Sequence, residues 1–256
     1  MIILNNKYLI VFFCLHITSV SYAQEFSAKL HWAKRVELGS PVSGVVEKVS
    51  VNVGDKVNSE DALVQLDSSV FQAHVNEYKA QLLSSQEALK EAERERDRAL
   101  ELYDRTVLSD HDLQIAKNKY KAAIARDKHV MANLIASQFN LKHSTIRAPF
   151  DAVVLQRYAQ PGQVVATQFS QGPLIVVAAS DKMIARFNIA EDMLTLIRKN
   201  KQASVVVDGE TYHGKIISIG LELATGDVSS SGYPVEVEFS VERLLRAGRT
   251  AKVEMK

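Results

Sequence analysis

Cysteine and histidine are the side chains most often used for nucleophilic chemistry and metal binding, and here they are few and scattered. The only cysteine is Cys14. Zinc-type sites need ligands at recurring short spacings, and no two histidines beyond residue 23 stand at such a spacing. These histidines are His31, His74, His111, His129, His143 and His213. The pattern predicts no bound metal and no metal-dependent hydrolase or metal chaperone.

Acids and methionines give no stronger signal. Asp110 and Asp112 lie where a helix is predicted to begin, and acids there favour the helix dipole. The methionines are scattered like core filler rather than clustered like a copper or silver site. Beyond residue 23 they are Met131, Met183, Met193 and Met255. Without a glycine-rich phosphate loop, nucleophile elbow or paired-acid motif, we predict no enzyme and no cofactor.

Composition and charge restrict the class of protein. The 256 residues are 46% hydrophobic, which suits one to three small folded domains. The chain has 31 basic and 30 acidic residues, giving a net charge of +1. Because binding to phosphate backbones needs a basic excess, we predict no nucleic-acid partner.

The N-terminus has the features of a secretory signal. Residues 5–7 carry one positive charge, residues 8–20 are largely apolar, and small residues precede a cleavage site after Ala23. The alternative is an uncleaved membrane anchor, but a spanning helix needs about 20 apolar residues. Phe13 before Cys14 argues against a lipoprotein signal. We predict that residues 1–23 are removed, which leaves an exported chain without cysteine.

Two segments of the chain repeat each other. The sequence PVSGVVEKVSVNVG at 41–54 matches PFDAVVLQRYAQPG at 149–162, with an offset of 108 residues (149 − 41). The matched pairs include Val45 and Val153, Val46 and Val154, Gly54 and Gly162, Val57 and Val165, and Leu66 and Leu174. Short alternating strands with a glycine turn predict two similar β-halves that share one core.

Residues 69–143, between the repeats, are predicted to form a helical hairpin. The segment contains no glycine or proline, and apolar or small residues recur at alternating spacings of three and four. Arg96 and Asp127 interrupt that pattern. Ser109, followed by Asp112, predicts the start of the second helix, so the turn lies near Leu108. Each arm would extend about 50 Å.

The predicted seam uses one stripe from each arm. The first comprises Val75, Tyr78, Leu82, Ser85, Leu89, Ala92, Ala99 and Tyr103. The second comprises Leu113, Ala116, Tyr120, Ala123, Val130, Leu134, Ser137 and Leu141. The remaining faces are highly charged, as expected for solvated surface.

Strand patterns separated by glycine or serine follow in 180–256 and predict a small β-barrel. Residues 24–40 alternate as well and are expected to contribute a strand to it. A short helix is predicted to start near Ala190. We expect the β-halves to comprise 41–68 and 144–179.

This layout resembles the HlyD-like membrane fusion proteins, the periplasmic adaptor subunits of tripartite efflux pumps. The signatures are SGVVEKVSVNVGDKV and IRAPFDAVVLQRYAQPGQVV, with a coiled-coil hairpin between them. The resemblance implies an elongated α+β fold: a split lipoyl-like β-sandwich, an inserted antiparallel coiled-coil α-hairpin and a small β-barrel domain. The sequence ends after a segment resembling the closing barrel strand, so no membrane-proximal domain is expected.

The resemblance also implies a function and partners. The chain would work in the periplasm, linking an inner-membrane transporter of the resistance–nodulation–division (RND) class to a TolC-like outer-membrane channel, as a homo-oligomer of six copies. Adaptors that dock such channels carry Arg, then Leu four residues on, then Ser seven beyond, and Arg98, Leu102 and Ser109 fit that spacing. A simpler explanation makes Ser109 an ordinary helix cap, Leu102 a flank of the seam and Arg98 a solvated charge.

Two departures from the family pattern concern turns. Ala152 and Glu60 stand where or near where the family has glycine, which permits positive φ. These turns are therefore expected to differ slightly.

Two other functions compete with this interpretation. One is an adaptor for an ABC-type exporter, which the sequence separates poorly from the RND class. The other is a lipoyl or biotin carrier, which would present a modifiable lysine where the hairpin stands. No Asp-Lys-Ala or Met-Lys-Met sequence occurs, and export argues against a carrier.

Overall fold

A computed structural model describes residues 24–168, 172–224 and 232–255. The predicted signal segment, with Cys14 and the cleavage site after Ala23, lies outside the described residues. In the described part of the chain, every helix is too short or too polar to cross a membrane.

The described elements are fourteen strands, two long α-helices and one short 3-10 helix. They are β1 (Gln24–Trp32), β2 (Arg35–Leu38), β3 (Gly44–Val49), β4 (Lys56–Val57), β5 (Ala62–Leu66), α1 (Ser69–Asp104), α2 (Asp110–His143), β6 (Thr145–Arg147), β7 (Ala152–Arg157), β8 (Val164–Val165), β9 (Ile175–Ala179), β10 (Lys182–Ile189), a 3-10 helix (Glu191–Leu196), β11 (Gln202–Val207), β12 (Glu210–Ile219), β13 (Tyr233–Ser240) and β14 (Thr250–Met255).

The repeated segments form the predicted β-sandwich. One sheet has the order β2-β9-β7-β4 and the other β6-β5-β3-β8. The short strand β4 of the first repeat pairs with β7 of the second, and β8 of the second pairs with β3 of the first. Because each half completes the sheet of the other, neither sheet can form alone.

The hydrogen bonds repeat with the same offset of 108 residues as the sequence. Gly54 donates its backbone N–H to the carbonyl of Val154 at 2.8 Å, and Gly162 donates to the carbonyl of Val46 at 2.8 Å. The two glycines have φ values of 95° and 85°, which suit glycine alone among common residues. The repeat is therefore a pseudo-twofold unit.

Apolar side chains from both halves fill one core between the sheets. Its fully buried members include Val46, Leu63, Leu66, Val154, Ile175 and Val177. Ala152 is fully buried within β7, where its small side chain fits. Glu60 itself takes the left-handed conformation, with φ 70°. This turn therefore keeps the positive φ that a glycine would allow, and the departure lies in the residue type.

The two helices form the predicted antiparallel hairpin, and it leaves the sandwich from neighbouring strands. Strands β5 and β6 pair, and Leu66 donates its N–H to the carbonyl of Ser144 at 2.8 Å. At the start of α1, the Asp67 carboxylate accepts the Ser69 N–H at 2.9 Å. Helix α1 thus begins and α2 ends beside each other.

The predicted seam is buried or half-buried along both helices, with one exception. Tyr103 is 37% exposed, and its hydroxyl is hydrogen-bonded to Asp110 in the first turn of α2. The seam prediction was therefore wrong at the position closest to the turn.

The remaining strands form a closed barrel in the order β1-β10-β13-β12-β11-β14. The helix predicted near Ala190 is a short 3-10 helix that follows this residue. Strand β2, which the sequence division places with the barrel, instead pairs with β9 in the sandwich. Residues Val241–Leu245 also group with the unit that contains the sandwich.

Candidate docking site at the hairpin tip

The turn between the helices, residues 105–109, is tightly built. The N–H groups of Thr106 and Val107 donate to the carbonyls of Tyr103 and Leu102 at 2.8 and 3.0 Å, which satisfies the end of α1. Thr106 has φ 60°, a costly conformation for a β-branched residue. The turn therefore has a defined shape.

Ser109 caps α2 as predicted. Its Oγ accepts the N–H of Asp112 at 3.1 Å and donates to the Asp112 carboxylate at 2.6 Å. Asp110 and Asp112 occupy the first turn, where the helix dipole favours negative charge. The cap fixes the direction in which α2 leaves the turn.

The three residues of the docking motif lie at this end of the hairpin but differ in exposure. Arg98 is exposed and lies one turn before Leu102 on α1. Leu102 is half-buried. The exposed apolar side chain is Val107, which is 72% accessible. The motif did not point to Val107, although the turn carries two adjacent apolar residues, Val107 and Leu108.

Charges near the tip are paired locally. Arg105 pairs with Glu101 one turn earlier, and Arg94 pairs with Glu91. The hydrogen bond from Arg94 lowers the pKa of the Glu91 carboxyl, and the Asp110 carboxylate raises the pKa of the Tyr103 hydroxyl. These pairs are exposed and stabilise the helices only modestly.

The two interruptions of the apolar seam are filled by polar contacts between the helices. The guanidinium of Arg96 lies 3.9 Å from the centre of the Tyr120 ring, and the Tyr120 hydroxyl donates to Glu93 at 3.3 Å. Nearer the sandwich, the Ser85 hydroxyl donates to the Asp127 carboxylate at 2.8 Å. A sliding helix would break both contacts, so they favour one register and one position of the tip.

The described residues contain no group of three or more His, Cys, Asp or Glu side chains placed to hold a metal ion. His74 lies 3.4 Å from the Glu77 carboxylate, and the His143 ring packs 4.1 Å from that of Phe139. None of these groups lies at the hairpin tip, where the exposed side chains are Val107 and its polar neighbours.

Comparison with known proteins gives a family match and several relatives. A family model described as the CzcB-like, barrel-sandwich hybrid domain matches residues 34–178. The macrolide export protein MacA of Yersinia pestis is 27% identical over 249 residues, covering 90% of this chain and 66% of MacA. The nodulation protein NolF of Rhizobium meliloti is 26% identical over 221 residues, covering 84% of this chain and 58% of NolF. The chain thus spans less than two thirds of either relative.

Solved structures share the fold. A MacA–MexA chimeric protein with the Pseudomonas aeruginosa MexA α-hairpin domain has a TM-score of 0.68 and 23% identity, covering 91% of this chain and 81% of the chimera. The membrane fusion protein Spr0693 of Streptococcus pneumoniae R6 also has a TM-score of 0.68, with 17% identity, covering 91% of this chain and 98% of Spr0693. Both likenesses extend over the sandwich, hairpin and barrel described above.

Proposed function

The chain belongs to the CzcB-like barrel-sandwich hybrid family of membrane fusion proteins, and on this premise we propose that it is a periplasmic adaptor. It links an inner-membrane transporter to a TolC-like outer-membrane channel and so enables export of small molecules. It is a structural linker rather than an enzyme and needs no cofactor. Its predicted signal, cleaved after Ala23, delivers it to the periplasm.

The observation that carries the proposal is the hairpin inserted into the sandwich. Helices α1 and α2 have 36 and 34 residues, so the tip stands about 50 Å from the sandwich. Polar contacts across the seam favour one register. A long helical arm with a fixed tip suits contact at a distance better than catalysis in a cleft.

The tip is the proposed contact with the channel. Arg98 supplies an exposed charge, Leu102 a half-buried apolar side chain, and Ser109 the cap at the turn. Val107 adds an exposed apolar side chain, because that of Leu102 is half-buried. Such a surface suits insertion between two helices of a partner.

For the inner-membrane partner we propose a transporter of the RND class. The medium hairpin length and the predicted cleaved signal favour this class. An adaptor for an ABC-type exporter is the alternative. Co-purification would separate the two, because only an ABC partner brings a nucleotide-binding permease.

One hairpin cannot enclose a conduit, so several copies of the chain must surround one. Six copies around the transporter is the arrangement that the family resemblance implies. The chain's net charge of +1 imposes little repulsion on such packing.

Deleting residues 69–143 tests the bridging role directly. The Leu66 amide and the Ser144 carbonyl are hydrogen-bonded, so a short Gly-Ser linker can close the gap. We expect the deleted protein to keep its β-structure by circular dichroism and to lose export in a strain that depends on the adaptor. Full export by a folded, exported deletion variant would contradict the bridging role.

A further inference from the structure

The described part of the barrel carries its exposed large apolar side chains at one end. In the unit that contains the barrel, the described side chains of this kind are Leu196, Leu221 and Leu223, which are 61%, 94% and 59% exposed. Leu196 ends the 3-10 helix that follows β10, and the other two leucines come directly after β12. A group of exposed leucines marks a surface that meets another protein or a membrane.

Strand pairing and one close contact place these leucines at the same end of the barrel. Ile219, the last residue of β12, pairs with Val235 near the start of β13. A Cβ added to Gly232, just before β13, would lie 2.6 Å from the carbonyl oxygen of Ile189, the last residue of β10. The turn after β12 and the 3-10 helix after β10 therefore leave the barrel side by side.

The turn that carries Leu221 and Leu223 is held on both sides of the two leucines. Gly220 donates its N–H to the carbonyl of Pro234 at 2.7 Å, and Ala224 donates to that of Gly232 at 2.9 Å. The exposure of Leu221 and Leu223 is therefore built into the turn.

The start of β1 lies at this end as well. Gln24, its first residue, donates from Nε2 to the sulfur of Met193 in the 3-10 helix at 3.3 Å. The predicted signal, with its apolar residues 8–20, directly precedes Gln24 in the sequence. Because a signal segment enters the membrane during export, it connects the membrane, before cleavage, to the end of the barrel that carries the leucines.

Charged side chains around the leucines balance each other. The segments 190–201 and 220–224 contain equal numbers of acids and bases: Glu191, Asp192, Glu222, Arg198, Lys199 and Lys201. Such a surface offers no net charge to an acidic or a basic partner. The leucines therefore decide what binds at this end of the barrel, and an apolar environment suits them.

We propose that this end of the barrel inserts Leu196, Leu221 and Leu223 into the surface of a phospholipid bilayer. Burying one leucine strengthens partitioning at least about ten-fold. Three leucines bury less apolar surface than a myristoyl chain, which by itself gives only reversible binding, so the contact is weak and reversible. This contact goes beyond the proposed function, because it joins the chain to lipid directly rather than through the transporter.

Fluorescence of the exported chain tests the insertion. Cleavage removes Cys14, so Leu223→Cys supplies a single thiol for an NBD label, and mass spectrometry checks that Gln24 is the first residue. We expect vesicles of neutral phosphatidylcholine to shift the NBD emission to shorter wavelength. The same label at Leu83→Cys, a position of α1 that is 67% exposed, should not respond. No shift from the barrel label, or an equal shift from both labels, would overturn the proposal.

Lipid composition separates the effect of the leucines from that of charge. Mixing anionic phosphatidylglycerol into the vesicles should leave the shift unchanged, because the charges at this end of the barrel balance. A shift that appears only with the anionic lipid would contradict insertion driven by the leucines.

A matched pair of serine substitutions measures the contribution of one leucine. Leu221→Ser should lower the partition coefficient for phosphatidylcholine vesicles at least about ten-fold, and circular dichroism should show an unchanged fold because the side chain is exposed. Leu83→Ser alters an exposed leucine outside the barrel and should leave partitioning unchanged. Equal partition coefficients for the two variants would overturn the proposal.

Export measured in cells separates a lipid from a protein as the occupant. If Leu221→Ser lowers export although the wild-type chain binds no vesicle, the leucines contact the transporter and the proposal is overturned. A wild-type chain that binds vesicles through the leucines but restores no export would support the lipid contact and contradict the adaptor function.

Discussion

Ser109 has a defined structural role beside the docking role proposed for it. Its hydroxyl both accepts the Asp112 N–H and donates to the Asp112 carboxylate. Loss of an N-cap costs about 1 kcal/mol, so a substitution here changes the tip's stability as well as its surface. Any docking experiment at Ser109 must separate these two effects.

The cap makes a testable difference between two substitutions. Ser109→Ala should destabilise the first turn of α2 by about 1 kcal/mol, whereas Ser109→Asn keeps a side-chain acceptor and should lose much less. Hydrogen exchange of the amides of Asp112 and Leu113 measures the effect. Equal protection in the two variants would show that the cap contributes nothing.

Gly54 and Gly162 should respond alike, because they occupy equivalent turns of the pseudo-twofold unit. Both have positive φ, and nothing within 4 Å would obstruct an added Cβ. Alanine at either site should therefore destabilise the sandwich by about 1–2 kcal/mol through backbone strain alone. Urea unfolding measures this.

Gly39→Ala is the matched control for these substitutions. Gly39 also has open space around it but does not have positive φ. Alanine there should be neutral or stabilising by up to about 1 kcal/mol. A loss at Gly39 as large as at Gly54 would contradict the explanation from backbone strain.

His31 should make the barrel's stability depend on pH. Burial lowers the pKa of its imidazole, Arg186 and Lys29 lower it further, and Glu236 opposes them. The folded state thus favours neutral His31, whereas the unfolded chain protonates near pH 6.5. Stability should fall as the pH drops from about 6.5 through the lower folded pKa.

Thermal unfolding between pH 8 and 5 tests the role of His31. The fall in Tm should be smaller in His31→Gln than in the wild-type chain, because glutamine does not titrate. An identical fall in both proteins would assign the pH dependence to other groups.

At the scale of elements, the seam of the hairpin shows what periodicity can predict and what it cannot. Spacings of three and four residues correctly predict most of the buried stripe. They identify Arg96 and Asp127 only as interruptions, because the partners Tyr120 and Ser85 lie on the opposite helix. Pairing across a seam depends on the register of two helices, which neither helix sets alone.

A double-mutant cycle measures one of these contacts. We expect Arg96→Met and Tyr120→Leu, alone and together, to give a favourable coupling of about 0.5–1 kcal/mol, the usual range for a partly exposed cation–π pair. The free energies come from denaturant unfolding of the four proteins. Additive effects would mean that the stacked geometry contributes no coupling energy.

Strand boundaries followed the repeat closely, since β3 and β7 begin and end at positions 108 residues apart. Strand β2 was harder to place, because alternation predicts a strand without naming its neighbour. Its pairing with β9 is fixed by contacts between residues far apart in the chain. The residue type alone gives no signal for the left-handed conformation of Glu60; only its place near a glycine of the family pattern pointed to that turn.

At the scale of the whole molecule, the chain is a split β-unit that carries a long helical insertion, together with a barrel. The insertion begins and ends on two paired strands, where a carrier domain would present its lysine. The likeness to membrane fusion proteins extends over the sandwich, hairpin and barrel, and the adaptor function depends on the hairpin reaching a partner. The position of that contact is therefore the central claim.

Cross-linking of the tip to the outer-membrane channel tests this claim most directly. In a Cys14→Ser background, cysteines replace Thr106, Val107 or Ser109, and Lys48→Cys on the sandwich serves as the distant control. With a cysteine at the periplasmic end of the channel, we predict links from the tip positions and none from the control. Absence of links from every tip position, in cells where the variants still support export, would contradict the account.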